Sequence, residues 1–234
     1  GWQVQPDLTT VQGTLASAIG RITDEKVLPQ GSGRTDAGVH ALAQVVTFVT
    51  ESSVPTGNFL KALNDILPQS VRALDVAEVP LDFHARRSAR AKTYRYRIYR
   101  GSICSPFLAR YVWHYPYALD EAGMNRAAAF VIGEHDFTSF AAVDPERGQE
   151  NEQISNVRSI FSSNWERQGE EFVYLVRGSG FLHHMVRNLV GTFILIGKGT
   201  LLASDVTRIL EARNRSAAGA TAPASGLFLA EVEY

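Results

Sequence analysis

The stretch Thr93-Tyr94-Arg95-Tyr96-Arg97-Ile98-Tyr99 alternates aromatic or aliphatic side chains with arginines at every second position. Successive side chains of a β-strand point to opposite faces, so this period of two predicts a strand over 92–99. One face carries Tyr94, Tyr96 and Ile98, and the other carries the two arginines. The pattern is typical of a half-buried strand with a basic outer face.

Helices and strands alternate on both sides of this strand. Apolar spacing predicts helices over 10–22, 57–67, 119–132, 181–197 and 204–213. Runs rich in β-branched and aromatic residues predict strands over 41–49, 71–79, 110–115, 157–165, 172–178 and 227–234. Thr9-Thr10-Val11-Gln12 fits a capping box for the first helix, and 142–153 and 215–225 are predicted loops. This order indicates an α+β protein with antiparallel or mixed sheets and two related lobes, 1–100 and 101–234.

The composition is that of a soluble globular protein, with 45% hydrophobic and 20% charged residues. No apolar run reaches the roughly 20 residues needed to span a bilayer. The opening Gly1-Trp2-Gln3 segment lacks the basic and apolar regions of a signal peptide. The single cysteine, Cys104, excludes an internal disulfide framework and a thiolate-rich metal site. These features predict a cytoplasmic protein with no membrane partner.

Positive charge is concentrated in one region although the net charge is only −1. Residues 83–119 contain no Asp or Glu, and this basic stretch holds Arg86, Arg87, Arg90, Lys92, Arg95, Arg97, Arg100 and Arg110. Such asymmetry is typical of a protein that docks a nucleic acid on one face. A solvated basic strand and loop would account for the same charges.

The loop Gly31-Ser32-Gly33-Arg34-Thr35-Asp36-Ala37-Gly38 places three glycines around one carboxylate. Glycine allows positive φ and close approach of a ligand, so the loop can present Asp36 at the mouth of a cleft. It is neither a Walker loop nor a dinucleotide fingerprint, because the glycine spacing and the following residues differ. An Asp that caps a tight turn would give the same pattern, so both interpretations stay open at this point.

Two further residues are candidates for the same site. Tyr94 can stack on a flipped base or move a proton, or it can be a packed strand aromatic. Arg187 interrupts an apolar predicted helix, and a buried arginine needs a partner, for which Asp36 is plausible. His183 and His184 are adjacent, so on a helix they cannot face one metal ion. We therefore expect no metal site.

These segments together resemble the TruA family of tRNA pseudouridine synthases. The matching pieces follow in family order: Gly1-Trp2-Gln3 with Thr10-Val11-Gln12-Gly13, Gly33-Arg34-Thr35-Asp36-Ala37-Gly38-Val39-His40-Ala41, Phe83-His84-Ala85-Arg86 leading to Lys92-Thr93-Tyr94-Arg95-Tyr96, His135-Asp136-Phe137-Thr138-Ser139-Phe140, the residues 180–191, and Thr221-Ala222-Pro223-Ala224-Ser225-Gly226-Leu227. Family members usually have one more strand, leading to Tyr-Asp-Gly, before the Gly-Trp-Gln segment. The resemblance therefore predicts such a first strand.

The resemblance implies two RNA-recognition-like (ferredoxin-like) lobes joined across a central catalytic cleft, and a homodimer. It also implies isomerisation of uridine to pseudouridine at positions 38 to 40 in the anticodon stem-loop of tRNA, without a cofactor. Asp36 corresponds to the catalytic aspartate, Tyr94 to the tyrosine that contacts the uracil, and Arg187 to the arginine paired with the aspartate. Arg34 corresponds to an arginine of the base-flipping step. The substrate-binding residues expected in the basic stretch are Arg86, Arg90 and Lys92.

Two other functions use the same features. A non-catalytic RNA-binding module would need the basic stretch and the aromatics, with Asp36 merely capping a turn. A glycosylase that excises a base is also built on one carboxylate. The order of the motifs favours the synthase over both.

Overall fold

The computed structural model describes residues 1–143 and 155–234. Its helices are α1 (Val11–Thr23), α2 (Thr56–Ile66), α3 (Glu121–Ala129), α4 (Met185–Gly197) and α5 (Asp205–Ala212). Its strands are β1 (Gln30–Gly31), β2 (His40–Ala41), β3 (Val46–Thr47), β4 (Ala91–Tyr99), β5 (Trp113–His114), β6 (Gly133–Asp136), β7 (Val157–Gln168), β8 (Glu171–Gly178) and β9 (Leu227–Glu233). The predicted α+β class is confirmed.

The chain forms two compact units. Unit 1 comprises Gly1–Ala37, Gln44–Ala89 and Tyr234, and unit 2 comprises Gly38–Ala43 and Arg90–Glu233. The predicted lobes 1–100 and 101–234 do not coincide with these units, because strand β4 pairs along its length with β8 and β9 of unit 2.

Unit 1 is organised around helices α1 and α2, which pack on each other. Its buried centre is a small apolar cluster of Ala18, Ile19, Phe59, Leu63 and Leu67. Strands β1 and β3 form a two-stranded antiparallel sheet in this unit. Helix α1 begins after Thr10, whose side chain accepts a hydrogen bond from the Gly13 backbone N–H.

Unit 2 contains a seven-stranded sheet in the order β2-β9-β4-β8-β7-β6, with β5 added beside β4. The pairs β2–β9 and β4–β5 are parallel, and the other pairs are antiparallel. Helix α3 packs on α4 and on β7. As the alternation in β4 predicts, Tyr94, Tyr96 and Ile98 are buried and Arg95 and Arg97 are half-buried.

Three strand predictions differ from the structure. The predicted strand 71–79 is wrong: no ladder forms there, because the Asn64 side chain bonds both the N–H and the C=O of Ala73. The predicted strand 41–49 is split into β2 and β3, which pair in different units. Of the predicted strand 110–115, only β5 pairs with a neighbour. Propensity alone does not show where a ladder partner is missing.

Smaller differences occur at helix starts and in loops. The predicted helix 181–197 begins only at Met185, because His184 has the left-handed φ of 59°. The expected capping box does not form, since the Gln12 side chain bonds Val4 N–H and the Pro29 carbonyl. Strand β6 was not predicted. Most of the predicted loop 142–153 lies outside the described residues.

Within the described residues, no helix combines the length and apolarity needed to cross a membrane.

Candidate active site

The loop that carries Asp36 is fixed to Gln44 and Val45, the two residues that precede strand β3. Ser32 N–H donates to the Val45 carbonyl at 2.8 Å, and the Ser32 hydroxyl donates to Gln44 Oε1 at 2.7 Å. Gln44 Nε2 in turn donates to the Gly33 carbonyl at 2.8 Å. Ser32 is completely buried, so each of these bonds replaces a lost contact with water. The first three residues of the loop are therefore held in one conformation.

Trp2 holds the loop from its other side. Its backbone N–H donates to the Thr35 carbonyl at 2.9 Å, and its ring is buried. A Cβ on Gly31 would lie 2.7 Å from the indole, so only glycine lets the ring pack there. The loop is thus fixed at Gly33 and at Thr35, the residues on either side of Arg34, with Arg34 exposed and Asp36 half-buried.

Tyr94 lies inside unit 2, and its side chain is 8% exposed. Its ring packs edge-on against Phe181, with 4.9 Å between the ring centroids. The backbone of Tyr94 is opposite Val176 of β8 and Leu229 of β9, next to an irregularity of the β4–β9 ladder. Tyr94 is therefore a packed strand residue, and its contact with a substrate stays a prediction.

Arg187 lies in the first turn of α4 and is tied to a segment distant in sequence. Its Nε donates to the Ala222 carbonyl at 2.8 Å, and Ala222 N–H donates to the Arg187 carbonyl at 3.1 Å. The Tyr96 hydroxyl donates to the neighbouring Pro223 carbonyl at 2.7 Å. Burial raises the pKa of the Tyr96 phenol far above its usual range, and the nearby charge of Arg187 offsets this only in part. Tyr96 is therefore a neutral donor beside the guanidinium.

A buried polar cluster adjoins Arg187. Asn188 is completely buried, and its Nδ2 donates to the Phe140 carbonyl at 2.7 Å. Its Oδ1 accepts from the Thr221 hydroxyl at 2.7 Å and from Arg215 at 3.0 Å. The cluster thus provides partners for both the amide nitrogen and the amide oxygen of Asn188, as a buried amide requires.

Gln44, Asn188 and Thr221 support the site but were not predicted as supporting residues. Gln44 and Asn188 carried a usable signal, because each is a polar residue inside an apolar run. Thr221 carried no such signal, since its partner Asn188 lies 33 residues away in the chain.

His183 and His184 precede helix α4, so the helical spacing used to reject a metal site does not apply to them. Their rings are close together, with 4.0 Å between centroids. His183 Nδ1 contacts the Val143 carbonyl at 3.0 Å, and the His183 carbonyl accepts from Ala142 N–H. These bonds fix the turn that leads into α4.

The basic stretch does not present all its charges to solvent. Arg97 forms a two-point ion pair with Glu171, and Arg100 lies 3.6 Å from a carboxylate oxygen of Glu121. Arg95 donates to the amide oxygen of Gln168. The side chains that stay exposed are those of Arg86, Arg87, Arg90 and Arg110. Of the three substrate-binding cations predicted in this stretch, Arg86 and Arg90 are therefore exposed and Lys92 is half-buried.

Asp36 belongs to unit 1, whereas Tyr94 and Arg187 belong to unit 2. Each is held by its own unit: Asp36 in a loop anchored through Gly33 and Thr35, Tyr94 on strand β4, and Arg187 at the start of α4. The predicted pair of Asp36 and Arg187 stays a prediction.

Comparison with known proteins identifies the class. A family model described as tRNA pseudouridine synthase matches residues 2–86 and 127–234. The tRNA pseudouridine synthase A of Solibacter usitatus is 52% identical over 234 residues, which are 100% of this chain and 93% of that protein. The protein of the same name from Moorella thermoacetica is 45% identical, with 100% of this chain and 94% of that protein covered. For Caldicellulosiruptor bescii the identity is 42%, over 100% and 93% of the two chains.

The chain is therefore an isomerase. It belongs to the tRNA pseudouridine synthase family, which confirms the resemblance seen in its motifs.

Proposed function

We propose that this chain converts uridine to pseudouridine in tRNA, at positions 38 to 40 of the anticodon stem-loop. The observation that carries the reaction and the tRNA substrate is the 52% identity, over the whole chain, to a protein named tRNA pseudouridine synthase A. The positions 38 to 40 are those that the family resemblance implies. The anchored loop around Asp36 supports it, because a nucleophile must be held close to its productive geometry.

The reaction rearranges one nucleotide. The bond between N1 of the uracil and C1′ of the ribose breaks, a bond between C5 and C1′ forms, C5 loses a proton and N1 gains one. Atoms and electrons balance without an oxidant, a reductant or an energy source, so the proposed chemistry calls for no cofactor. One ionised carboxylate is a sufficient nucleophile for the first step.

We assign that carboxylate to Asp36. It would attack C1′ of the ribose, as in retaining glycosidases, or add to C6 of the uracil. Arg187 would pair with Asp36 and hold its carboxylate in place through charge-assisted hydrogen bonds. Tyr94 would assist removal of the C5 proton, directly or through water, and Arg34 would act in flipping the target base.

The direct test is incubation of the protein with unmodified tRNA, followed by position-resolved mapping of pseudouridine. We expect conversion at positions 38 to 40 with no change in the mass of the RNA. Binding without conversion would point to the RNA-binding module, and release of free uracil would point to a glycosylase. Either result would overturn the proposal.

We predict that tRNA binding weakens steeply with salt. Extruding the target base costs a few kcal/mol, and contacts of Arg86, Arg90 and Lys92 with phosphates would offset that cost. Replacing all three with Gln should reduce the slope of log K against log salt by up to about 3, since each phosphate contact contributes about 0.9. Filter binding at several salt concentrations measures the slope.

The matched control is Arg208→Gln, because Arg208 is exposed and pairs with Asp205 on α5. An affinity independent of salt would contradict the assignment.

We further propose that the protein is a cytoplasmic homodimer, as the family resemblance implies. Light scattering coupled to size-exclusion chromatography measures the mass of the particle. A monomer at assay concentrations that still forms pseudouridine would refute the dimer without affecting the proposed reaction.

A further inference from the structure

The segment 219–223 lies directly along helix α4 and is called here the clamp segment. Gly219 N–H donates to the Thr192 hydroxyl at 2.9 Å, and Ala222 exchanges two hydrogen bonds with Arg187. The Ala220 carbonyl oxygen occupies the space that a Cβ on Gly191 would need. The clamp segment therefore touches α4 over more than one turn, from Arg187 to Thr192.

One side chain of the clamp segment points into the buried polar cluster. The Thr221 hydroxyl donates to Asn188 Oδ1 at 2.7 Å and accepts from Arg215 at 3.2 Å. Asn188 itself is completely buried and is fixed by its bond to Phe140. Thr221 is thus attached to an immobile group, and its neighbour Ala222 carries the carbonyl that accepts from Arg187 Nε.

An arginine side chain has many rotamers, and a bond at Nε fixes the plane of the guanidinium. The two terminal nitrogens then point in one direction. If the Ala222 carbonyl moved, that direction would change with it, because the Nε–H group follows its acceptor to keep the bond close to linear.

We propose that Thr221 is a positioning residue for Arg187. Its hydroxyl, through Asn188, holds the Ala222 carbonyl where it fixes the plane of the Arg187 guanidinium. The inference rests on the proposed function, in which Arg187 acts on Asp36. It adds a residue that acts through Arg187 and not on the reacting atoms.

The hydroxyl can be tested by variants of nearly equal size. We expect Thr221→Val to lower kcat by about 10-fold or more, since small misplacements in active sites have effects of this order, and to leave KM for tRNA within about twofold. Thr221→Ser keeps the hydroxyl and should restore kcat. Thr207→Val is the matched control, because Thr207 is exposed on α5, and it should behave like the unsubstituted protein. The pair Thr221→Ser and Thr221→Ala gives the same comparison if the branched valine prevents folding.

A double-mutant cycle separates positioning from a general loss of stability. In an Arg187→Lys background, where there is no longer a guanidinium to orient, Thr221→Val should cause no further loss of kcat. A full additional loss of about 10-fold in that background would overturn the inference, as would wild-type kcat in Thr221→Val alone. Absence of pseudouridine from the unsubstituted protein would overturn the proposed function and the inference together, so the two failures are distinguishable.

Discussion

Replacing Asp36 with Asn is expected to abolish pseudouridine formation, a loss of at least about 10³-fold, while tRNA binding is retained. The amide has nearly the shape of the carboxylate but is not a nucleophile at neutral pH. The loop should keep its conformation, because the bonds of Ser32, Gln44 and Trp2 anchor it. Binding is measured by filter retention, and product by mapping of pseudouridine.

Asp65→Asn is the control for this substitution. Asp65 is exposed on helix α2 of the same unit, so the variant changes the charge equally and should keep full activity. Undiminished product from Asp36→Asn would show that Asp36 only shapes a turn, and the assignment of the nucleophile would then be wrong.

The long helices and strands are predicted well from the sequence, because each one shows the hydrophobic period of its own kind of structure. Strand β4 and helix α2 repeat at periods of 2 and 3.6, and both appear within about a residue of the predicted bounds. Residues 71–79 have the composition of a strand, but the backbone of Ala73 at their start is bonded by the side chain of Asn64 and no second strand pairs with them. Such a bond depends on tertiary structure and leaves no local pattern.

The same limit applies to the candidate site. Asp36 and Arg187 are conspicuous in sequence, since one is an acid among glycines and the other a cation in an apolar run. The residues that hold them are not conspicuous as partners. Gln44 bonds Gly33 across 11 residues, and Ala222 bonds Arg187 across 35. The chemistry of the candidate site can therefore be predicted from residue types. The contacts that hold its residues in place can be identified only in the folded structure.

The second large effect is expected for Gly191→Ala. In most helix interiors this change stabilises by about 1 kcal/mol, because alanine is the better helix former. At Gly191 the new methyl group would meet the Ala220 carbonyl oxygen, which is backbone and cannot rotate away. Either the clamp segment or helix α4 must shift, and the bonds of Gly219 to Thr192 and of Ala222 to Arg187 would be strained or lost. We expect destabilisation by roughly 3 kcal/mol, the upper end of the usual range for overpacked cores, because the obstacle is backbone.

Thermal and urea unfolding measure this change, and a loss of roughly 3 kcal/mol should lower Tm by about 10 °C in a chain of this size. Gly57→Ala is the matched control, because Gly57 lies in helix α2 and a Cβ added there would meet no heavy atom within 4 Å. Its Tm should stay the same or rise slightly. Below its melting temperature, Gly191→Ala should also lose kcat, because the Ala222 carbonyl that orients Arg187 moves with the clamp segment. An unchanged Tm together with full kcat would show that the clamp segment yields without strain, and it would contradict its role in fixing Arg187.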